Sequence, residues 1–370
     1  MVVVAQASPA LGGIATYAET VVNDSELASW LDFRLLNTTR RAVRRGGSLS
    51  ASNAWHALVD AGRVFRMARS ADVVHVQTAL MPALPLLRAL AICRAARLGG
   101  AAVLCHVHTG LVNEGPNEVF RPSAIERFLL KRLTFVHAFL AVSDAGVNGL
   151  RRYMGAARIE RVDNAVDVDR FVPASAEGSS TILFVGTLAR RKGLLDLLEA
   201  LKELRDRGVG AWRLEVVGAG NEAGDEEAEG IRQAFRNEGM GDALLGPIAG
   251  DELIERLRSA GIYVLPSLSE GQPIGVMEAM ASALPVVATG VGAVADMVQE
   301  GEDGILVDPG RPDLLADALA KLVASPELRR SMGASGRRRA KERFDLPGLR
   351  QRLGKLYLEA SSSARSRTGR

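Results

Sequence analysis

Short apolar runs alternate with longer amphipathic ones along nearly the whole chain, and this alternation decides the fold class. "ADVVHVQT" at 71–78 has the length and composition of a strand. "ALPLLRALAICRAARLG" follows with helical length and closes on glycine, and "AAVLCHVHTG" at 101–110 is the next strand. Such strands are apolar on both faces, as a parallel sheet covered by helices requires. "HAFLAVS" at 137–143 continues the series. After the small, polar stretch "PASAEGSS" at 173–180 a second series begins: "TILFVGTL", "WRLEVVGAG", "IYVLPS", "LPVVATG" and "GILVD" as strands, with helices between them and over 312–342 and 347–360. The expectation is an α/β protein with two doubly wound, parallel-sheet, Rossmann-like domains. A first domain spans 1–170 and a second 171–344. A helix over 345–360 packs back on the first, and 361–370 is a disordered basic tail.

The 370 residues suffice for two sizeable cores. The net charge of +3 divides unevenly: residues 1–170 carry +6, 171–343 carry −7 and 344–370 carry +4. Different partners for the two halves are one reading of this, chance is the other. Aromatic residues are 5% and no reading motif occurs, so nucleic acid is not expected as a partner. Two cysteines, Cys93 and Cys105, suit neither a zinc site nor a disulfide framework, which points to a reducing cytoplasm. "MVVVAQASPALGG" lacks a basic leader and reads as a first strand, not a signal peptide.

The most informative stretch is "SEGQPIGVMEAM" at 269–280. Ligands of open α/β sheets bind at the carboxyl ends of strands, and Glu270 follows the strand "IYVLPS". Gly271 and Gly275 let the chain pass close to a ligand. The helix that follows offers free N–H groups to an anion, and Glu278 lies about one turn in, where it can accept hydrogen bonds from vicinal hydroxyls. A polyol carrying phosphate fits both features. A capped, solvated helix start fits them too. "VGTLARRKG" at 185–193 gathers Arg190, Arg191 and Lys192 at a strand mouth, enough charge to neutralise a diphosphate without a metal. Lys192 is expected to pack little there. "SPALGGIATYAET" at 8–20 brings Gly12 and Gly13 to the end of the first strand, a weaker phosphate-approach signal. "VGAGNEAG" at 217–224 is one residue too long for a dinucleotide fingerprint and is followed by acidic residues. His106 and His108 share one face of a strand end, with no third metal ligand close in sequence.

These residues together resemble glycosyltransferase family 4, a retaining group with the GT-B fold, in which two such domains face a central cleft. The likeness rests on "PSLSEGQPIGVMEAMASALPVVATGVGAVADMV", whose Glu270 and Glu278 match the family's paired glutamates, and on "GGIATYAET", "HVHTG", "DNAVDVDRF", "VGTLARRKG" and "GEDGILVDPGRPDLLADAL". It implies a nucleotide diphosphate sugar (UDP- or GDP-sugar) as donor, bound mostly by the second domain, and a lipid-linked, polysaccharide or other glycan acceptor bound by the first. It implies no cofactor and no metal. Glu278 would hold the ribose hydroxyls. Glu270, Gly271, Gln272, Pro273 and Ile274 would meet the transferred sugar and the phosphates. Arg191 and Lys192 would hold the diphosphate, Gly12 and Gly13 would close from the first domain, and His108 would lie near the sugar. Two departures stand out: Thr187 replaces the usual arginine after the glycine, leaving Arg190 and Arg191 as alternatives, and Ala165 stands in "NAVD" for a usual glycine. A nucleotide-sugar epimerase or a silent binding protein on the same fold are the competing readings. Arg40, Arg41, Arg44 and Arg45, with Arg63, Arg66 and Arg69 along one side of a helix, suggest peripheral contact with an anionic membrane from the cytoplasmic side.

Overall fold

The computed structural model describes residues 1–7, 13–39, 51–80, 83–109, 122–155, 157–173, 179–220 and 224–368. The chain divides into two compact units, one of residues 1–113, 119–164 and 347–370, the other of 114–118 and 165–346.

In the first unit, strands β1 (Val2–Ala5), β2 (Arg34–Asn37), β3 (Val73–Ala79), β4 (Ala102–Thr109), β5 (Ala138–Ala141) and β6 (Ile159–Arg161) form one parallel sheet in the order β2-β1-β3-β4-β5-β6. Helices α1 (Gly13–Val22), α2 (Ser25–Ala28), α3 (Ala51–Ala68), α4 (Ala83–Leu98), α5 (Ala124–Lys131) and α6 (Asp144–Met154) connect them. Helices α3 to α6 supply Val64, Ile92, Leu130 and Leu150 to one core with β3, β4 and β5. Helix α1 covers the other face, where Ala18 meets Val3 and Ala5. Local sequence explains the starts: α5 opens on a full capping box of Ser123 and Glu126, and Ser143 caps α6.

The second unit has strands β7 (Thr181–Val185), β8 (Arg213–Val217), β9 (Leu244–Gly246), β10 (Ile262–Leu265), β11 (Val286–Thr289) and β12 (Gly304–Val307), again parallel, in the order β12-β11-β10-β7-β8-β9. Its helices are α7 (Leu194–Asp206), α8 (Glu226–Asn237), α9 (Gly250–Ser259), α10 (Ile274–Ala281), α11 (Val294–Met297), α12 (Pro312–Ala324) and α13 (Pro326–Arg343). The expected single helical stretch over 312–342 is two helices, because Ser325 caps the second and Pro326 ends the first. The chain reverses direction across this sheet between β7 and β10, which is where an open α/β sheet leaves its ligand crevice.

The last helix, α14 (Leu346–Thr368), returns to the first unit. Here the sequence reading of residues 361–370 as disordered is corrected, since the helix continues to Thr368. Leu353, Leu356, Tyr357, Ala360 and Ala364 are all buried, a helical period carried partly by alanines. Arg365 pairs with Asp72 at 2.8 Å and Ser361 donates to the same carboxylate. Small and basic composition concealed a packed helix.

Candidate functional site

The turn after β7 and the loop after β10 meet at the point where the second sheet reverses. Arg190–Lys192 form one 3-10 turn, and Gly193 then takes a left-handed conformation (φ 68°) before α7. A Cβ on Gly193 would stand 1.8 Å from the Pro266 carbonyl oxygen, so only glycine lets the two segments approach. The Leu268 N–H donates to the Arg191 carbonyl at 2.7 Å, tying the loop to the turn. Gly193→Ala is therefore expected to lose about 2–4 kcal/mol of stability, from left-handed strain plus overpacking, and to lose nucleotide binding with it. Urea unfolding of the variant against the wild type measures this.

Across that junction Lys192 Nζ and Glu270 Oε1 form an ion pair at 2.5 Å, with side chains only 12% and 6% exposed. Lys192 is thus well packed, contrary to the sequence expectation, because its partner lies on the neighbouring strand's loop. The Ser267 hydroxyl donates to the same Glu270 oxygen at 2.7 Å, and Thr289 Oγ1 donates to the Ser267 carbonyl. Arg190 and Arg191 are exposed and neither guanidinium enters an ion pair among the described residues. The Arg190 backbone N–H is held by Glu227 at 3.0 Å.

Gly271 is braced from the next strand. Its carbonyl accepts from the Ala293 N–H at 2.9 Å, and Gly292 (φ 58°) passes so close to Glu270 that a Cβ would lie 1.9 Å from its carbonyl oxygen. Gln272 is buried, and Pro273 stands at the start of α10 without a side-chain cap, so the first N–H groups of that helix remain open to an acceptor. Glu278 sits one turn along α10, partly buried, and its burial pushes the carboxyl up to about 7 against a smaller opposing pull from Arg170. The buried Tyr263 hydroxyl lies beside Gly275, and burial, with the charges of Glu278 and Glu270, raises its pKa and keeps it neutral.

A pocket of about 360 Å³ opens beside this region, lined by Leu188, Gly218, Ala219, Gly246 and Pro247 among others. It takes in the "VGAG" stretch. Gly218 is glycine because a Cβ would stand 1.7 Å from the Gly186 carbonyl oxygen. The sequence reading missed this pocket, and its signal is the glycine at the end of β8.

Of the residues singled out in sequence, Lys192, Glu270, Gly271, Gln272, Pro273, Ile274 and Glu278 come together in the second unit, with Arg191 at its edge. Gly13 and His108 belong to the first unit, where Gly13 is exposed at the first position of α1 and His108 is the second-last residue of β4. Gly12 lies outside the described residues, as do Arg40, Arg41, Arg44 and Arg45. His108 is buried in a hydrogen-bonded chain: His108 Nε2 to Gln77 Oε1 at 2.6 Å, Gln77 Nε2 to His75 Nε2 at 3.1 Å, and His75 Nδ1 to the Tyr357 hydroxyl at 2.9 Å. Burial holds His75 and His108 down to about 3, so both are neutral near pH 7. The amide oxygen of Gln77 accepts from His108 Nε2–H, which leaves Nδ1 as the acceptor nitrogen. His106 is buried beside them, its ring stacked on that of His75 with centroids 5.4 Å apart. Ala165 is not among the residues with positive φ, so it replaces a glycine there without strain; Ala283 (φ 58°) is the one non-glycine with positive φ among the described residues. No cluster of three or more histidine, cysteine or acidic residues with metal-binding geometry occurs among the described residues.

Two doubly wound units, each with a parallel six-stranded sheet, define a GT-B protein. Solved structures of that kind overlay on nearly the whole chain. Sucrose-phosphate synthase from Thermosynechococcus elongatus matches with a TM-score of 0.78 at 19% identity, over 98% of this chain and 99% of that one. Anabaena HepE in complex with UDP matches at 0.72 and 14% identity, over 97% and 99%. The family model described as Glycosyltransferase Family 4 matches residues 24–170, and the model described as Glycosyl transferases group 1 matches 166–339. The chain belongs to glycosyltransferase family 4. Among curated relatives, D-inositol 3-phosphate glycosyltransferase of Corynebacterium jeikeium is 35% identical over 217 residues, 54% of this chain and 52% of that protein. GDP-mannose-dependent alpha-(1-6)-phosphatidylinositol monomannoside mannosyltransferase of Mycobacterium tuberculosis is 29% identical over 270 residues, 65% of this chain and 66% of that protein. The matched stretch thus spans between about half and two thirds of these relatives.

Proposed function

We propose that the protein is a retaining, metal-independent glycosyltransferase that moves a sugar from a UDP- or GDP-sugar to a hydroxyl of a lipid-linked, polysaccharide or other glycan acceptor. The observation that carries this reading is the Lys192–Glu270 pair at the reversal point of the second sheet, beside the open start of α10. Family membership and the names of the relatives, which act on inositol phosphate and on a phosphatidylinositol mannoside, support it.

The roles follow from charge. Breaking the bond from sugar C1 to phosphate builds positive charge on the ring and negative charge on the leaving diphosphate. Lys192 has three N–H donors and spends one on Glu270, so two remain for phosphate oxygens. Arg191, with Arg190 as the alternative, and the backbone N–H groups of Gly271, Gln272 and Ile274 complete the anion site, while Pro273 has no N–H and only shapes the turn. Glu278 accepts from the ribose hydroxyls, and the 360 Å³ pocket takes the base. Gly12 and Gly13 are further donor contacts in this reading, carried over from the family resemblance. His108, neutral and held by Gln77, offers Nδ1 to a sugar hydroxyl, while the leaving phosphate takes the acceptor's proton. Glu270 and His108 act by positioning and electrostatics.

Thermal shift against UDP-, GDP- and ADP-sugars tests donor binding, because a ligand of the folded state raises the melting temperature by mass action. No shift with any of them would overturn the reading. Incubation with donor alone separates transferase from epimerase: an epimerase converts the sugar without acceptor. Activity is expected to survive EDTA, and an absolute need for Mg²⁺ or Mn²⁺ would refute the assignment of the diphosphate charge to protein cations.

No helix among the described residues is long and apolar enough to cross a membrane. We place the protein in the cytoplasm with peripheral contact to the anionic inner face of the cell membrane. Helix α3 supports this with Trp55, Leu58 and Phe65 exposed on its outer side. Its arginines support it less than the sequence suggested. Arg63 faces Asp60 at 3.8 Å, Arg66 bonds back to the Gly62 carbonyl, and Arg69 lies past the end of the helix.

A further inference from the structure

A second pocket, of about 280 Å³, lies in the first unit between the end of α4 and the residues that follow α5. Arg94, Arg97, Lys131 and Arg132 line it, together with Leu98, Thr134 and Phe135, and among the described residues no carboxylate does. None of the four cations enters an ion pair among the described residues. Two of the guanidinium groups are held in place by aromatic faces, Arg94 over Phe135 at 5.2 Å and Arg132 over Phe128 at 4.6 Å. Arg367 of α14 also feels the charge of Arg97, which adds to the burial that lowers its pKa. The only acid on α5, Glu126, is committed to the N–H of Ser123. The dipole of α4 favours Arg97 in its last turn, but it does not account for Lys131 and Arg132 lining the same space. Like charges gathered without a counter-ion repel one another, and an anion relieves that repulsion.

We propose that this pocket binds the phosphate headgroup of an anionic phospholipid. The choice of a lipid over a dissolved phosphate rests on the rim. Leu98, which lines the pocket, is 77% exposed, and Phe128, which carries the Arg132 guanidinium, and Ile125 one turn before it on α5 are exposed as well. Together α3, α4 and α5 carry seven Lys/Arg against two carboxylates, Asp60 and Glu126. Apolar tips ringed by cations suit the headgroup and acyl boundary of an anionic bilayer. The inference rests on the membrane reading above and gives it a binding site, separate from the donor site of the second unit.

Co-sedimentation of the full chain with vesicles of phosphatidylglycerol mixed into phosphatidylcholine, and with phosphatidylcholine alone, tests it. The wild type is expected to bind the anionic vesicles at low salt and to be released at high salt. R97Q/R132Q is expected to bind about 30-fold more weakly, at about 5-fold per cation near an anionic surface. R63Q/R66Q on α3 should bind more nearly like the wild type, and Phe128→Ser should weaken binding with all cations kept. Equal binding of R97Q/R132Q and the wild type would overturn this pocket while leaving the membrane reading standing. A wild type that ignores anionic vesicles would overturn both. Calorimetry with free glycerol 3-phosphate separates the sources: affinity equal to that for vesicles, abolished by R97Q/R132Q, would overturn the lipid in favour of a dissolved phosphate.

Discussion

Lys192→Ala lowers kcat/KM by about 10²-fold or more, the expected effect of removing one charged donor from the developing negative charge of a leaving diphosphate. The structure adds a second effect. Glu270 loses its ion-pair partner while its side chain stays 6% exposed, with Ser267 as the remaining donor. A buried carboxylate left with one hydrogen bond costs about 1–3 kcal/mol, so this variant also unfolds at lower denaturant. The two effects are separable. Adding Glu270→Gln removes the stranded charge and restores stability toward that of the wild type, while the diphosphate still lacks its lysine and activity stays low. Steady-state kinetics and urea unfolding on the two variants check this. Full activity in Lys192→Ala would refute the phosphate role.

Nucleotide affinity rises with pH up to about 7 and then levels off. Glu278, raised to about 7 by burial, accepts hydrogen bonds from ribose hydroxyls in its ionised form. At pH 6 about one carboxyl in ten is ionised, so donor affinity is about tenfold weaker than at pH 8. Stability runs the other way. The folded carboxyl titrates above its unfolded counterpart, near 4.5, so its contribution is complete below that value and is lost as pH rises through about 7. The loss is on the order of 2 kcal/mol, discounted because the side chain is only partly buried. Glu278→Gln flattens both profiles, weakens the donor across the range and stabilises the free protein at pH 8. Calorimetric titration with UDP or GDP and urea unfolding at pH 5, 6, 7 and 8 read both trends. Profiles unchanged by the substitution would show that Glu278 is not the titrating group.

What could be read along the chain was what short stretches encode. Strands buried on both faces announce themselves as apolar runs, so β3, β4, β7, β10 and β11 were legible, whereas β2, β6 and β9, short and only partly buried along most of their length, were not. Glu270, the glycine turn and Glu278 form one local motif and needed no partner to be noticed. Sheet order is not local. The ion pair of Lys192 and Glu270 joins positions 78 apart, and it exists because β7 and β10 are neighbours across the reversal of the sheet. Thr289 enters the site for the same reason, across the β10–β11 pair, and His75 and Gln77 became visible only once β3 and β4 lay side by side. The tail 361–370 failed as a prediction because Ala360, Ala364 and Arg365 find their partners on the first unit, far away in sequence, and composition alone reads such residues as solvated. The sequence by itself determined the elements and the chemistry of the donor loop. The tertiary structure decided which charges meet, because pairing depends on which strands and helices become neighbours, and that is a property of the whole chain.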